Sequence, residues 1–333
     1  MAKLIITRGL PRSGKTTWAK GHVDTSGNFV RINRDDLRVM LHNNKWSPKN
    51  EEITIATQRA MVKAALLKGK SVIVDDTNLT EHHSSSWENL AKECGATFEI
   101  KKFDSSDIQL LIDRDNNDDW SSRRGEHTIV RMAMEHGYIY HADDSIVICD
   151  LDGTLCDIEH RRHFVKMECQ YCGGDGRDGK DCITTAKEKA EGVTATHMKK
   201  DWNSFFAGGL EDKLRQEVFD RLLELSAQGK KIVFVSARPE KCRADTLTWF
   251  VRHGIMSKYD KFAWFEDKKL EYEALLMRPD GNSNDDTIIK QAILDKYFRK
   301  ESIHLVIDDR PSVIRMWRSN GLTVEDVGDG VDF

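Results

Sequence analysis

Short apolar runs alternate along the chain with longer segments whose apolar residues recur at helical spacing. LIIT (4–7), SVIV (71–74) and TFEI (97–100) have the length and composition of strands. Between them, 51–68 (EEITIATQRAMVKAALLK) and 84–94 (SSSWENLAKEC) read as helices, closed by Gly69 and Gly95 as C-terminal caps. The alternation restarts with SIVIC (145–149) and a helix over 211–228 ended by Gly229. KIVFVS (231–236), a helix near 240–253 ended by Gly254, and IHLVI (303–307) complete it. Strands separated by crossover helices predict an α/β fold. The polar stretch HADDS (141–145) is the natural join. It predicts two domains, 1–143 and 144–333, each a mostly parallel sheet flanked by helices.

Composition adds bounds rather than detail. A chain of 333 residues suits two such domains, each with its own core. With 39% hydrophobic and 32% charged residues, the composition is that of a globular protein and not a disordered one. No apolar run reaches the roughly 18 residues of a membrane span. The N-terminal MAKLIITRGLPRSGKTT has too short an apolar stretch for a signal peptide, so a cytoplasmic location is expected. Seven cysteines, an odd number, are then expected as reduced thiols, with metal binding ahead of disulfides for any cluster. A net charge of −4 argues against coating nucleic acid by charge alone, but not against gripping a strand end.

GLPRSGKT, from Gly9 to Thr16, fits the phosphate-loop pattern G-x-x-x-x-G-K-[ST], follows a strand and opens a helix. Backbone N–H groups at that helix start face phosphates. Lys15 would reach the β- and γ-phosphates, and the Thr16 hydroxyl would hold Mg²⁺. INRDDLR (32–38) sets two carboxylates beside two arginines, with Asp35 and Arg38 on one helix face. An acceptor hydroxyl needs a base and a charged acceptor needs an arginine clamp. The same residues would equally form a solvated helix start. VDDTN (74–78) places another carboxylate at the carboxyl edge of the sheet. SSRRGE (121–126) reads as an arginine-bearing lid or an ordinary basic loop.

ICDLDGTL (148–155) is more specific. Asp150 and Asp152 are two apart at a strand end, so their side chains leave on one side. This motif resembles the first motif of the haloacid-dehalogenase-type phosphohydrolases. FVSAR with Ser236, DDTIIK with Asp286 and Lys290, and VIDDR with Asp308 and Asp309 follow in that family's order. The residue types suit an aspartyl-phosphate mechanism. Asp150 is the nucleophile, and Asp152 the acid and then the base. Mg²⁺ would lie among Asp150, Asp152, Asp308 and Asp309, while Ser236 and Lys290 hold phosphoryl oxygens.

A phosphate-loop kinase followed by this phosphatase resembles the tailed-phage polynucleotide 5′-kinase/3′-phosphatase family. INRDDLR, DTN, WENLAKECG, DLDGTL, VSAR and IDDRPSVIRMWRSNGL carry the resemblance over nearly the whole chain. It implies ATP as donor, Mg²⁺, RNA or DNA ends as substrate and a ligase acting afterwards. It also implies no membrane partner, some tendency to homo-oligomerise, and the host cytoplasm as location. It carries nucleotide binding to Gly9, Arg12, Ser13, Gly14, Lys15, Thr16 and Thr17. The general-base role falls on Asp35, and stabilisation of the transferred phosphate on Arg124. The acceptor side falls on Arg38 and Asp76, and a second arginine role on Arg114. In the phosphatase half it adds Arg161, Arg238 and Asp286 as substrate-side groups. A small-molecule alternative, a nucleoside or nucleotide kinase fused to a nucleotidase, shares the motifs but not the use for Arg38 and the 121–124 arginines. A scaffold with decayed sites is the third reading, opposed by the intact K-T and D-x-D-G-T.

Three features depart from the family pattern. Arg12 stands where the phosphate loop usually has glycine. An acidic run, DRDNNDDW (113–120), separates Arg114 from Arg124. A cap insertion of about 160–205 contains ECQYCGGDGRDGKDC (168–182). There Cys169, Cys172 and Cys182 have the spacing of a structural zinc knuckle one ligand short. His163 is the favoured fourth ligand, ahead of His160, His197 and Cys156.

Overall fold

The computed structural model describes residues 1–119, 122–139, 143–165, 201–259 and 268–330. Cys169, Cys172, Cys182 and His197, with most of the expected cap insertion, lie outside the described residues. The chain divides into two compact units, Met1–Tyr140 and His141–Phe333.

In the first unit, β1 (Lys3–Arg8), β2 (Phe29–Ile32), β3 (Ser71–Val74) and β4 (Thr97–Lys102) form a parallel sheet in the order β2-β3-β1-β4. Side chains alternate across a strand, so each strand feeds two cores. Leu4, Ile6, Val72 and Val74 pack on one face with Val62, Leu66, Trp87 and Leu90. Ile5 and Ile73 pack on the other with Ala19, Trp18 and Phe29. Burying each such side chain contributes about 1.5–3 kcal/mol. The helices are α1 (Lys15–Ser26), α2 (Arg34–His42), α3 (Pro48–Leu67), α4 (Glu81–Glu93), α5 (Ile108–Asn116) and α6 (Glu126–Glu135). The helix expected over 51–68 begins three residues earlier. Ser47 caps it by accepting from the Asn50 N–H, and Pro48 occupies its first position.

In the second unit, β5 (Ile146–Cys149), β8 (Lys231–Pro239), β11 (Ala274–Arg278), β12 (Ile303–Asp308) and β13 (Val324–Asp326) form a parallel sheet ordered β11-β8-β5-β12-β13. β5 is central and buried at every position, and its end carries Asp150 into the carboxyl edge. The helix expected from 211 starts only at Gln216. Ahead of it, Asp212 is held by two arginines, and Lys213–Leu214 pairs as β7 with β6 (Cys156–Asp157). The tertiary contacts of Asp212 override local helical preference. Among the described residues, no helix is long and apolar enough to cross a membrane.

Candidate active sites

The first site lies at the carboxyl ends of β1, β2 and β3. Gly14, in the left-handed region at φ 95°, turns the chain so that Lys15 opens α1. Lys15 Nζ folds onto its own loop, donating to the Leu10 carbonyl at 2.6 Å. Burial lowers its pKa to about 8, against the raising effect of Asp75, Asp35 and Asp76. A phosphate group entering the loop would supply the missing negative charge. Thr16 and Thr17 are exposed at the helix start, and Ser13 Oγ lies 3.4 Å from Lys15 Nζ.

β2 leads directly into Asn33, whose side chain caps α2 by accepting from the Asp36 N–H. This cap places Asp35 and Arg38 together, and the two are hydrogen-bonded. Arg124 Nη2 donates to the other Asp35 oxygen at 2.5 Å. The expected base, clamp and lid arginine are therefore one cluster. Arg38 also grips Glu51 in a bidentate pair, both bonds 2.7 Å. Asp76 is buried and accepts from the Arg34 backbone N–H at 3.0 Å and from Gln58 at 2.7 Å. Arg114 is not aimed at this cluster: its Nη1 donates to the Arg12 carbonyl at 3.1 Å.

Asp75 was not singled out from the sequence. It is buried beside the phosphate loop, and Arg31 Nε donates to its Oδ2 at 2.6 Å. Its Oδ1 is buried without a hydrogen-bond partner. Burial raises its pKa, while Arg31, Thr16 and Lys15 oppose the shift. A free carboxylate oxygen next to Thr16 fits a hydrated Mg²⁺.

The second site is built from the ends of β5, β8 and β12. Ligand oxygens of Asp150, Asp308 and Asp309 lie within 4.8 Å of one another, all buried. Lys290 Nζ lies 2.9 Å from Asp150 and 2.8 Å from Asp308. Burial raises the Asp150 pKa well above the ordinary carboxylate value; Lys290 opposes this, and Asp308 and Asp309 add to it. Burial and then Asp308 push Asp309 up to about 6. Three converging hard oxygen donors with one lysine fit a divalent cation.

Asp152, expected among these metal ligands, stands apart from the trio. Its Oδ1 accepts from Arg161 at 2.6 Å and from Arg238 Nε at 2.9 Å. Although burial pushes its pKa up, Arg238 and Arg161 outweigh that and hold it far below the usual carboxylate range. A carboxylate oxygen turned to two guanidiniums is taken up by cationic side chains rather than aimed at the trio. Ser236 is buried within the C-terminal half of β8, and its Oγ accepts from the Arg238 N–H at 3.2 Å. Asp286 opens the helix Asp286–Tyr297 one turn before Lys290. Its carboxylate holds Arg278 and Arg310. His163 is exposed, with its ring 4.0 Å from that of Phe164.

Residues 190–333 match the family model described as the polynucleotide kinase PNKP phosphatase domain, and residues 4–133 match that of an AAA domain. The chain is thus similar to an AAA domain over its N-terminal part and to a PNKP phosphatase domain over its C-terminal part. A protein of Autographa californica nuclear polyhedrosis virus, named as a bifunctional polynucleotide kinase/RNA ligase, is 24% identical over 341 residues. That match covers 95% of this chain and 41% of the viral protein. The bifunctional polynucleotide phosphatase/kinase of Schizosaccharomyces pombe is 32% identical over 91 residues, 27% of this chain and 18% of that protein. A chain of the solved Pnkp1/Rnl/Hen1 complex is 26% identical, covering 100% of this chain and 98% of its own, with a TM-score of 0.37. The chain spans less than half the length of these curated relatives.

Beside Asp150 and Asp152 is a cavity of about 770 Å³. Arg278, Arg310, Lys241 and Trp202 line it together with Asp150, Asp152 and Lys290. Arg278, Arg310 and Asp212 were missed from the sequence. Asp212 is fully buried and accepts from Arg161 Nε at 2.6 Å and Arg238 Nη2 at 2.8 Å. Arg310 directly follows VIDD, which was a usable signal. Asp212 lies in a stretch that reads as an ordinary acidic helix start.

Proposed function

We propose that this chain heals nucleic-acid ends, transferring the ATP γ-phosphate to 5′-hydroxyls and hydrolysing 3′-phosphates. The observation that carries the reading is the pairing, in one chain, of a PNKP-type phosphatase match with an Asp35–Arg38–Arg124 cluster beside a phosphate loop. In the kinase reaction Asp35 accepts the proton of the attacking 5′-hydroxyl. Arg38 leaves Glu51 to hold the phosphate next to that hydroxyl. Lys15 and Arg124 offset charge on the transferred group. Thr16 and Asp75 would hold Mg²⁺, which would offset charge on the nucleotide.

In the phosphatase reaction Asp150 attacks phosphorus, and the bond from phosphorus to the 3′-oxygen breaks. Asp152 gives that oxygen its proton. Water then attacks the aspartyl-phosphate, Asp152 takes the water proton, and inorganic phosphate leaves. The arginines hold Asp152 ionised, the form the second step needs. Its proton-bearing form for the first step requires the substrate dianion to draw guanidinium charge away. Asp150, Asp308 and Asp309 would hold Mg²⁺, which would offset the charge of the nucleophile and the phosphate.

A 5′-phosphate and a 3′-hydroxyl are the ends that ligation consumes, so a ligase is the natural successor. Homo-oligomer formation rests on the resemblance alone. Structural zinc on Cys169, Cys172, Cys182 and His163 is proposed from spacing alone. Metal analysis is expected to find zinc equimolar with the chain and lost in Cys169→Ser/Cys172→Ser; zinc-free protein would contradict it. The functional reading is tested by ATP-dependent labelling of a 5′-hydroxyl oligonucleotide against a free nucleoside. Preference for the nucleoside would overturn it.

A further inference from the structure

Arg12 occupies the phosphate loop at φ 66°, in the left-handed region. A side chain there is strained relative to glycine. Something must offset that strain, and the acidic run 113–120 supplies it. Arg12 Nε donates to Asp115 Oδ1 at 2.6 Å, Nη1 donates to Asp118, and Nη2 donates to the Ser122 carbonyl at 2.6 Å. The Arg12 carbonyl in turn accepts from Arg114. A planar guanidinium can serve three acceptors set at different angles in this way; a lysine ammonium cannot reproduce that fork.

Asp115 makes the contact consequential. It is 1% exposed, and besides Arg12 it accepts from the backbone N–H groups of Arg124 at 3.0 Å and Gly125 at 2.8 Å. Arg124 then reaches Asp35. A continuous path therefore runs from the phosphate loop through Arg12 and Asp115 to the backbone that aims Arg124. The two departures from the family pattern, an arginine for a glycine and a longer acidic run, are the two halves of one contact.

We propose that Arg12 is a positioning residue of the kinase site: it latches the arginine-bearing segment to the phosphate loop so that Arg124 meets the transferred phosphate. The proposal rests on the kinase reading given above. Arg12 acts through Arg124 and not on ATP itself.

The test is steady-state 5′-kinase assay of wild type, Arg12→Gly, Arg12→Lys, Arg124→Ala and Arg12→Gly/Arg124→Ala in the full chain. Glycine suits the backbone angle, so Arg12→Gly removes the latch without adding strain. The 3′-phosphatase activity of each preparation reports that the chain is intact. The latch predicts that Arg12→Gly lowers kcat at least about tenfold, with the KM for ATP changed less than about twofold. Arg12→Lys falls between Arg12→Gly and wild type. The double variant is no slower than Arg124→Ala alone, because the latch has nothing left to aim. Unchanged kcat in Arg12→Gly, a loss confined to the KM for ATP, or losses that multiply in the double variant would each overturn it. A wild type unable to phosphorylate 5′-hydroxyl oligonucleotides would overturn the kinase reading and the latch together. An active wild type with an equally active Arg12→Gly would overturn the latch alone.

Discussion

Asp152, Arg161, Arg238 and Asp212 form a buried quartet of two carboxylates and two guanidiniums. Charges this deep are tolerated only as a balanced set. Burial raises the Asp212 pKa, and Asp152 adds to that, while Arg161 and Arg238 oppose it. Removing Asp212 leaves two arginines against one carboxylate. Asp212→Ala is therefore expected to destabilise the second unit by about 3–5 kcal/mol, read by urea denaturation, and to abolish 3′-phosphatase activity. Near-wild-type stability would contradict this account of the quartet. The residues legible in advance, such as Asp150 and Lys290, belong to motifs with fixed spacing. Asp212 and Asp75 were not legible, because their meaning lies in partners far along the chain: Arg161 is 51 residues from Asp212, and Arg31 is 44 from Asp75.

At the scale of elements, the turn between β5 and β6 decides the geometry of the second site. Gly153 has φ +84°, and a Cβ there would lie 2.1 Å from Asp309 Oδ2. Asp309 is also held by the Thr154 hydroxyl at 2.9 Å, so it cannot retreat freely. Gly153→Ala is expected to lower phosphatase kcat at least about tenfold while sparing the kinase, as assayed on one preparation. An unchanged phosphatase would show that the turn relaxes. Strands were read well because apolar β-branched runs of this length have few other fates; SVIV and β3 coincide. Boundaries were read less well where a cap or ion pair rules. Ser47 and Pro48 start α3 early, and Asp212 starts the helix Gln216–Ala227 late. β11 was missed although the turn signal Pro279-Asp280-Gly281 follows it, since ALLMR is a short run and becomes a strand through pairing with β8.

For the whole molecule, two units with separate cores carry the two separate sets of proposed catalytic groups. The fold class follows from strand–helix alternation, and the second chemistry from the ordered acidic strand ends. The direction of Asp152 and the Arg12 contact needed three dimensions, because both depend on which arginine reaches which carboxylate. The central claim is that one chain heals both kinds of end with separable machinery. It is tested most directly by assaying wild type, Lys15→Ala and Asp150→Asn on 5′-hydroxyl and 3′-phosphate oligonucleotides, in RNA and DNA form. The account predicts both activities in wild type, loss of only the kinase in Lys15→Ala, and loss of only the phosphatase in Asp150→Asn. Both activities persisting in both variants would contradict it.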